Sequence, residues 1–206
     1  MKHPRSMTAA FYISSLLALG ACASSQQSSE PPATPEAEPG AASAESQAAT
    51  EALPAGSTAG EKTVRATFES KSGSQLTGTA TLTESADGVK VHVELDHVPP
   101  GEHGAHVHEK GDCSAPDGSS AGGHFNPASH PHALPDGTPR HLGDLGNVTI
   151  SADGKGTIDT VAPGANLKEG DANSFLGKAI IVHEKKDDGG QPTGNAGGRI
   201  GCAVIQ

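Results

Sequence analysis

Downstream of residue 62, apolar and polar side chains alternate in short runs. The runs cover residues 64–69, 76–83, 89–95, 104–108, 147–151, 156–161, 178–183 and 200–205. A period of two sends neighbouring side chains to opposite faces of a strand. Ala86-Asp87-Gly88 and Ala152-Asp153-Gly154 put Asp-Gly where tight hairpins form. No ten-residue stretch of this region carries helical spacing of its apolar positions. The expected fold is all-β, eight short antiparallel strands closed as a barrel or stacked as a sandwich. Two intervals break the rhythm, residues 109–143 and 184–199. Connections of that length usually carry function or are disordered.

Upstream the texture differs. Lys2 and Arg5 precede a short apolar stretch over 9–19, and the sequence then reads Leu19-Gly20-Ala21-Cys22. A positive start, an apolar middle and small residues at the end read as an export signal. The segment is similar to a bacterial lipoprotein signal, which implies cleavage before Cys22 and lipid attachment to it. A plain signal cleaved near Ala21 or Ala23 is the alternative. No apolar run reaches the roughly 18 residues a membrane-spanning helix needs. Residues 22–62 hold Pro31, Pro32, Pro35, Pro39 and Pro54 among Ser, Ala, Gln and Glu. Such a stretch cannot bury enough surface to offset the entropy of ordering, so it reads as a flexible tether. The expected organisation is a signal over 1–21, a lipidated Cys22 with its tether to 62, and one domain over 63–206. The expected location is the periplasm or cell envelope, with a membrane anchor through Cys22.

Composition narrows the function. The formal charge of -10 disfavours a nucleic-acid partner. Eleven histidines stand against one tyrosine and no tryptophan, which points to metal chemistry. With Cys22 lipidated, Cys113 and Cys202 remain as a pair in an oxidising compartment. Two free buried thiols are the alternative. A bridge closing about 90 residues is worth up to about 4–5 kcal/mol on a chain-entropy account. The domain is poor in aromatic residues, so such fastening matters.

The histidines are not scattered. His106 and His108 lie two apart on a predicted strand and project from one face, while Val107 points toward the core. His124, His132, His141 and Asp144 follow in or beside the first long loop, and His183 ends a later strand. A lone loop histidine is usually a solvated side chain, but this conjunction is a metal-ligand pattern.

His106-Val107-His108-Glu109, Gly123-His124-Phe125-Asn126-Pro127, His141-Leu142-Gly143-Asp144-Leu145-Gly146-Asn147, His183-Glu184-Lys185 and Gly194-Asn195-Ala196-Gly197-Gly198-Arg199 strongly resemble copper,zinc superoxide dismutase. The resemblance covers residues 63–206. It implies an eight-stranded Greek-key β-barrel with two functional loops. It also implies dismutation of superoxide to dioxygen and hydrogen peroxide by a redox-cycling copper bridged to a structural zinc, protecting the cell envelope.

Carried over to this sequence, His106, His108, His124 and His183 match the copper ligands. His124, His132, His141 and Asp144 match the zinc ligands, so His124 would serve both metals and carry a proton. His₃Asp suits zinc, and an all-imidazole set suits copper. Asp187 matches a carboxylate that links His106 to His132, and a solvated acid beside Asp188 is the alternative. Arg199 matches an anion-positioning arginine, and Thr193 a residue that narrows the channel. Lys185 and Lys186 would extend a positive funnel or stand as solvated charges. His103 matches a structural histidine, while His92, His97 and His130 match no ligand. His3 leaves with the signal.

The second loop departs from the family at Gly189-Gly190-Gln191-Pro192, which is short and lacks charges common in eukaryotic members. That puts long-range attraction of the anion in doubt. Homodimer and monomer both remain open. Asn147-Val148-Thr149 fits a glycosylation pattern but falls on a predicted strand. A non-catalytic copper or zinc store, and an envelope lipoprotein with vestigial loops, are the competing functions. A full ligand set with Arg199 disfavours both.

Overall fold

The structure is a computed structural model and describes residues 61–206. The predicted signal, Cys22 and nearly all of the tether lie outside these residues. Lys62, assigned to the tether, already joins the fold: its carbonyl accepts the Glu84 N–H at 2.9 Å.

Among the described residues, nine β elements follow in chain order. They are β1 (Thr63–Thr67), β2 (Glu69–Ser70), β3 (Thr77–Ser85), β4 (Gly88–Asp96), β5 (Gly101–His108), β6 (Asp144–Ile150), β7 (Gly156–Ala162), β8 (Lys178–His183) and β9 (Arg199–Ile205). A single 3₁₀ turn, Ser119–Ala121, sits between β5 and β6. Among the described residues no helix is long and apolar enough to cross a membrane.

The nine elements are the eight predicted strands with the first one broken. β1 pairs with β3, and β2, beyond Phe68, pairs with β9. This bent segment closes the sheet, whose order is β1-β3-β4-β7-β6-β5-β8-β9-β2. Every strand pairing is antiparallel. The pairings β4 with β7 and β5 with β8 skip intervening strands and make the barrel a Greek key.

Alternation sets which residues face inward. In β4, Val89, Val91, Val93 and Leu95 are buried, while Lys90 and Glu94 are exposed. They meet Leu82, Val107, Val148, Ile180, Val182 and Ile205 in one core. Burying each such aliphatic side chain contributes about 1.5–3 kcal/mol before entropy is counted. Phe68, Phe125 and Phe175 are all buried in that core.

The strand β8 does not alternate, because both of its faces are covered. Ile180 and Val182 face the core, whereas Ala179 and Ile181 pack with Cys113, Ala121 and Cys202 in a second cluster. The first long loop therefore lies on the outside of β8 and β9. Cys113 and Cys202 form a disulfide there, with Cα atoms 5.8 Å apart. Lys71, buried beside them, donates to the Glu69 carboxylate at 2.9 Å and to the Cys113 carbonyl at 2.5 Å.

Candidate metal centre

The strand β5 supplies His106 and His108 on one face, with Val107 wholly buried on the other. The first long loop returns along this strand. Phe125 N–H donates to Val107 O at 2.8 Å, Val107 N–H to Gly143 O at 2.8 Å, and Gly143 N–H to Phe125 O at 3.0 Å. Gly143 has no room for a Cβ, which would strike the Val107 carbonyl. This backbone lacing brings His124 opposite His108. A register shift then pairs Ala105 with Gly146 but His106 with Asp144. Such a bulge re-aims side chains, and here it turns Asp144 toward the histidines.

All eight predicted site side chains from this pattern are buried: His106, His108, His124, His132, His141, Asp144, His183 and Asp187. Seven of them form two four-donor groups that share His124, and Asp187 groups with His106 and His132. In the first, His106 Nδ1, His108 Nε2, His124 Nε2 and His183 Nε2 have no hydrogen-bond partner. A buried polar atom left unpaired costs about 1–3 kcal/mol. Four such atoms in one group have a physical explanation if they are ligands.

The opposite ring nitrogens fix each tautomer. His108 Nδ1–H donates to Gly122 O at 2.9 Å, and His183 Nδ1–H to Gly197 O at 3.2 Å. His106 Nε2–H donates to Asp187 Oδ2 at 2.8 Å. Burial pushes His108 down to about 2 and His183 down to about 3, and it lowers His106 despite the Asp187 bond. Burial thus favours the neutral form of the His106, His108 and His183 rings, whose bare nitrogens are directed together.

The second group packs around Asp144 Oδ1. It lies 3.1 Å from His124 Nδ1, 3.0 Å from His132 Nδ1 and 3.2 Å from His141 Nδ1. His124 and His141 bring their Nδ1 atoms within 3.3 Å of each other. Donors held about 2.0–2.1 Å from a tetrahedral zinc are spaced about 3.3 Å apart. The observed spacings match that edge length. Asp144 Oδ2 meanwhile accepts the backbone N–H groups of Ala133 (3.2 Å) and His141 (3.1 Å). Burial pushes the Asp144 carboxyl up, but the bond from His124 and the Ala133 N–H, with His132 and His141 nearby, hold it below the usual carboxylate range.

Asp187 joins the two groups. Its second oxygen accepts His132 Nε2–H at 3.0 Å and the Gly189 N–H at 2.8 Å. Burial pushes this carboxyl up, and the His106 and His132 bonds outweigh it, leaving it well below the ordinary range. Asn147, given no role at the site by the sequence, holds Asp187 in place. Its side chain accepts the Asp187 N–H at 2.7 Å and donates to the Asp187 carbonyl at 2.9 Å.

Arg199 opens β9 with its guanidinium on the first loop. It donates to Gly118 O and Gly122 O, both at 2.7 Å. Thr193 and Lys185 are exposed on the second loop. Lys186 is spoken for, its Nζ lying 2.7 Å from Glu102 Oε2. His103 is buried against the carbonyls of His183 (2.8 Å) and Pro99 (2.9 Å) and belongs to neither group. His92 and His97 lie on other faces, beside Asp159 and Thr77. His130 donates to Arg140 O at 3.1 Å. None of the three joins a donor group.

A Greek-key barrel that converges seven donors into two abutting sets, joined by one imidazole, defines a binuclear metalloprotein. The family model for copper/zinc superoxide dismutase matches residues 76–205. The chain belongs to that family, and it dismutes superoxide with copper and zinc as its metals. It is 41% identical over 135 residues to a superoxide dismutase [Cu-Zn] of Caulobacter vibrioides, covering 63% of this chain and 78% of the relative. An extracellular superoxide dismutase [Cu-Zn] of Caenorhabditis elegans is 38% identical over 139 residues, covering 64% and 61%. The crystal structure of a SOD-like protein from Bacillus subtilis superposes with a TM-score of 0.63 at 36% identity, covering 69% of this chain and 97% of that one.

Proposed function

We propose that the chain is an exported dismutase, anchored through lipidated Cys22, that removes superoxide at the cell envelope. In this reading His106, His108, His124 and His183 hold copper, and His124, His132, His141 and Asp144 hold zinc. The observation that carries the assignment is the bare, buried Nε2 of His124 among three other bare imidazole nitrogens, with its Nδ1 facing Asp144. The sequence of residues 1–22 supports export and anchoring.

Bound copper supplies reversible one-electron chemistry, alternating between Cu(II) and Cu(I). Everything else falls to the chain. Arg199 has five N–H donors, and those not committed to Gly118 and Gly122 meet the incoming anion. Its charge persists at every working pH. His124 Nε2 takes up a proton in the half-reaction that releases dioxygen and returns it in the half-reaction that releases hydrogen peroxide. The second proton of the peroxide comes from solvent. Asp187 keeps the His106 and His132 rings fixed meanwhile. With a formal charge of -10, the protein gathers a small anion only through a local positive field. Arg199 and Lys185 supply it, since Lys186 is paired with Glu102.

The test is metal content on protein purified from the envelope fraction. One copper and one zinc per chain are expected, and His124→Ala should lower both. Unchanged occupancy of both metals in that variant would overturn the assignment. Cys22→Ser should move the protein from the membrane to the soluble fraction, and retention on the membrane would overturn the anchor.

A further inference from the structure

The zinc-side ligand His132 sits in a run with no regular structure, flanked by Pro131 and close to Pro135. No backbone partner holds its peptide groups among the described residues. The Gln191 carboxamide takes their place. Its oxygen accepts the His132 N–H at 3.1 Å, and its nitrogen donates to the His132 carbonyl at 2.6 Å. The two bonds close a ring between the second long loop and the first, 59 residues apart in sequence.

The loop that carries Gln191 is itself fastened. Gly194 N–H donates to Gly190 O at 2.6 Å, and Asp188 N–H to Gly194 O at 2.9 Å. Asp188 Oδ1 accepts the Gly190 N–H at 2.8 Å, and its carboxylate accepts Asn195 Nδ2 at 3.2 Å. Gly189 leaves its surface open to Leu134, on the strand of loop just past His132. Gln191 is thus presented from a small closed loop, in the segment where this sequence is short and uncharged.

We propose that Gln191 is a positioning residue for zinc: it fixes the backbone of His132 while Asp187 fixes its ring. The arrangement parallels Asn147, which clamps the backbone of Asp187 by the same reciprocal pair of amide bonds. His132 therefore has three anchors, two from Gln191 and one from Asp187 at Nε2. Without the first two, the ring can pivot about its one remaining bond, and the Nδ1 donor loses its fixed place. Losing such an outer partner typically weakens metal binding about 10–100-fold.

This proposal rests on the zinc assignment above. The experiment loads full-length protein with copper and zinc and follows zinc release to a chromogenic chelator at neutral pH. Gln191→Met keeps the size of the side chain and removes both hydrogen bonds, while Gln191→Ala removes the side chain. Both variants should release zinc about tenfold faster than the parent, with the copper absorption band unchanged. Parental release from Gln191→Met overturns the clamp, whatever Gln191→Ala does. Equal loosening of copper and zinc also overturns it, because the effect is then on the fold at large. A parent protein that holds no zinc overturns the underlying assignment instead, and the two failures are told apart by its metal content.

Discussion

Arg199 and His108 donate to the same oxygen. Arg199 Nη2 lies 2.7 Å and His108 Nδ1 lies 2.9 Å from the Gly122 carbonyl. One backbone atom of the first loop therefore fixes both His108, a ring of the proposed copper set, and Arg199, the proposed anion-positioning cation. Gly118 and Gly122, at φ of 70° and 76°, flank the turn Ser119–Ala121 and present both carbonyls to Arg199. Both glycines occupy the left-handed region that other residues enter only with strain.

Removing the guanidinium separates anion guidance from metal binding. Arg199→Ala leaves His108 as the remaining donor to Gly122 O, so copper should stay bound. The rate at low superoxide should fall about tenfold or more, since a local positive field raises association by 10–10³. Arg199→Lys keeps a charge but not the planar fork, and should fall in between. Copper content by atomic absorption and the rate by pulse radiolysis check this; an unchanged rate removes the positioning role.

The disulfide holds the segment that holds Arg199. Cys113 lies five residues before Gly118, and Cys202 lies three after Arg199, with a separation of 89 residues between the two. Replacing both by serine should cost up to about 4–5 kcal/mol in denaturant unfolding. Lys71 still grips the Cys113 carbonyl, so the loop stays attached and copper stays bound. The rate at low substrate should fall along with stability. Unchanged stability in the double variant would show that the bridge is incidental.

Much of this was legible in the chain, and the rest was hidden for identifiable reasons. Period-two alternation locates the strands, and His-x-His on one of them marks a metal-binding face without any family motif. The break at Phe68 was invisible, because a strand that changes partners keeps the same alternation. The carbonyls of Gly118, Gly122 and Gly197 hold Arg199, His108 and His183. Every residue carries a carbonyl, so no residue type announces that role. Asn147 and Gln191 act through backbone groups 40 and 59 residues away, which only folding brings near. A separation of 84 residues likewise hides the pairing of Lys186 with Glu102.

Gly194 packs its backbone against the Asp187 carboxylate and the His132 ring. Its φ is +76°, and a Cβ there would collide with the Asp187 carboxylate and lie 2.8 Å from His132 Nε2. Gly194→Ala thus adds backbone strain of about 1–3 kcal/mol and pushes on the carboxylate that links His106 to His132. Zinc should be lost before copper on dialysis against a weak chelator, because His108 and His183 do not depend on Asp187. Equal retention of zinc in the variant and the parent would show that the loop yields.

Acid should act on the metal-free protein through the buried rings. Burial pushes His108 down to about 2 and His183 down to about 3 from an ordinary value of 6.5. Between those values the unfolded chain binds protons that the folded one refuses, so stability rises with pH across the window. Above about pH 7 neither ring contributes a slope. Below 6.5 each withdraws about 1.4 kcal/mol per pH unit. Asp144 and Asp187, held below the usual carboxylate range, add their loss only in stronger acid, as pH falls beneath their unfolded values. The thermal midpoint of protein stripped of metal should therefore be flat above pH 7 and fall steadily from 6.5 toward 4. Protein loaded with copper and zinc should hold its midpoint further into acid, because the same lone pairs are then engaged. A metal-free midpoint that stays level down to pH 4 would mean that these rings reach water, against their burial.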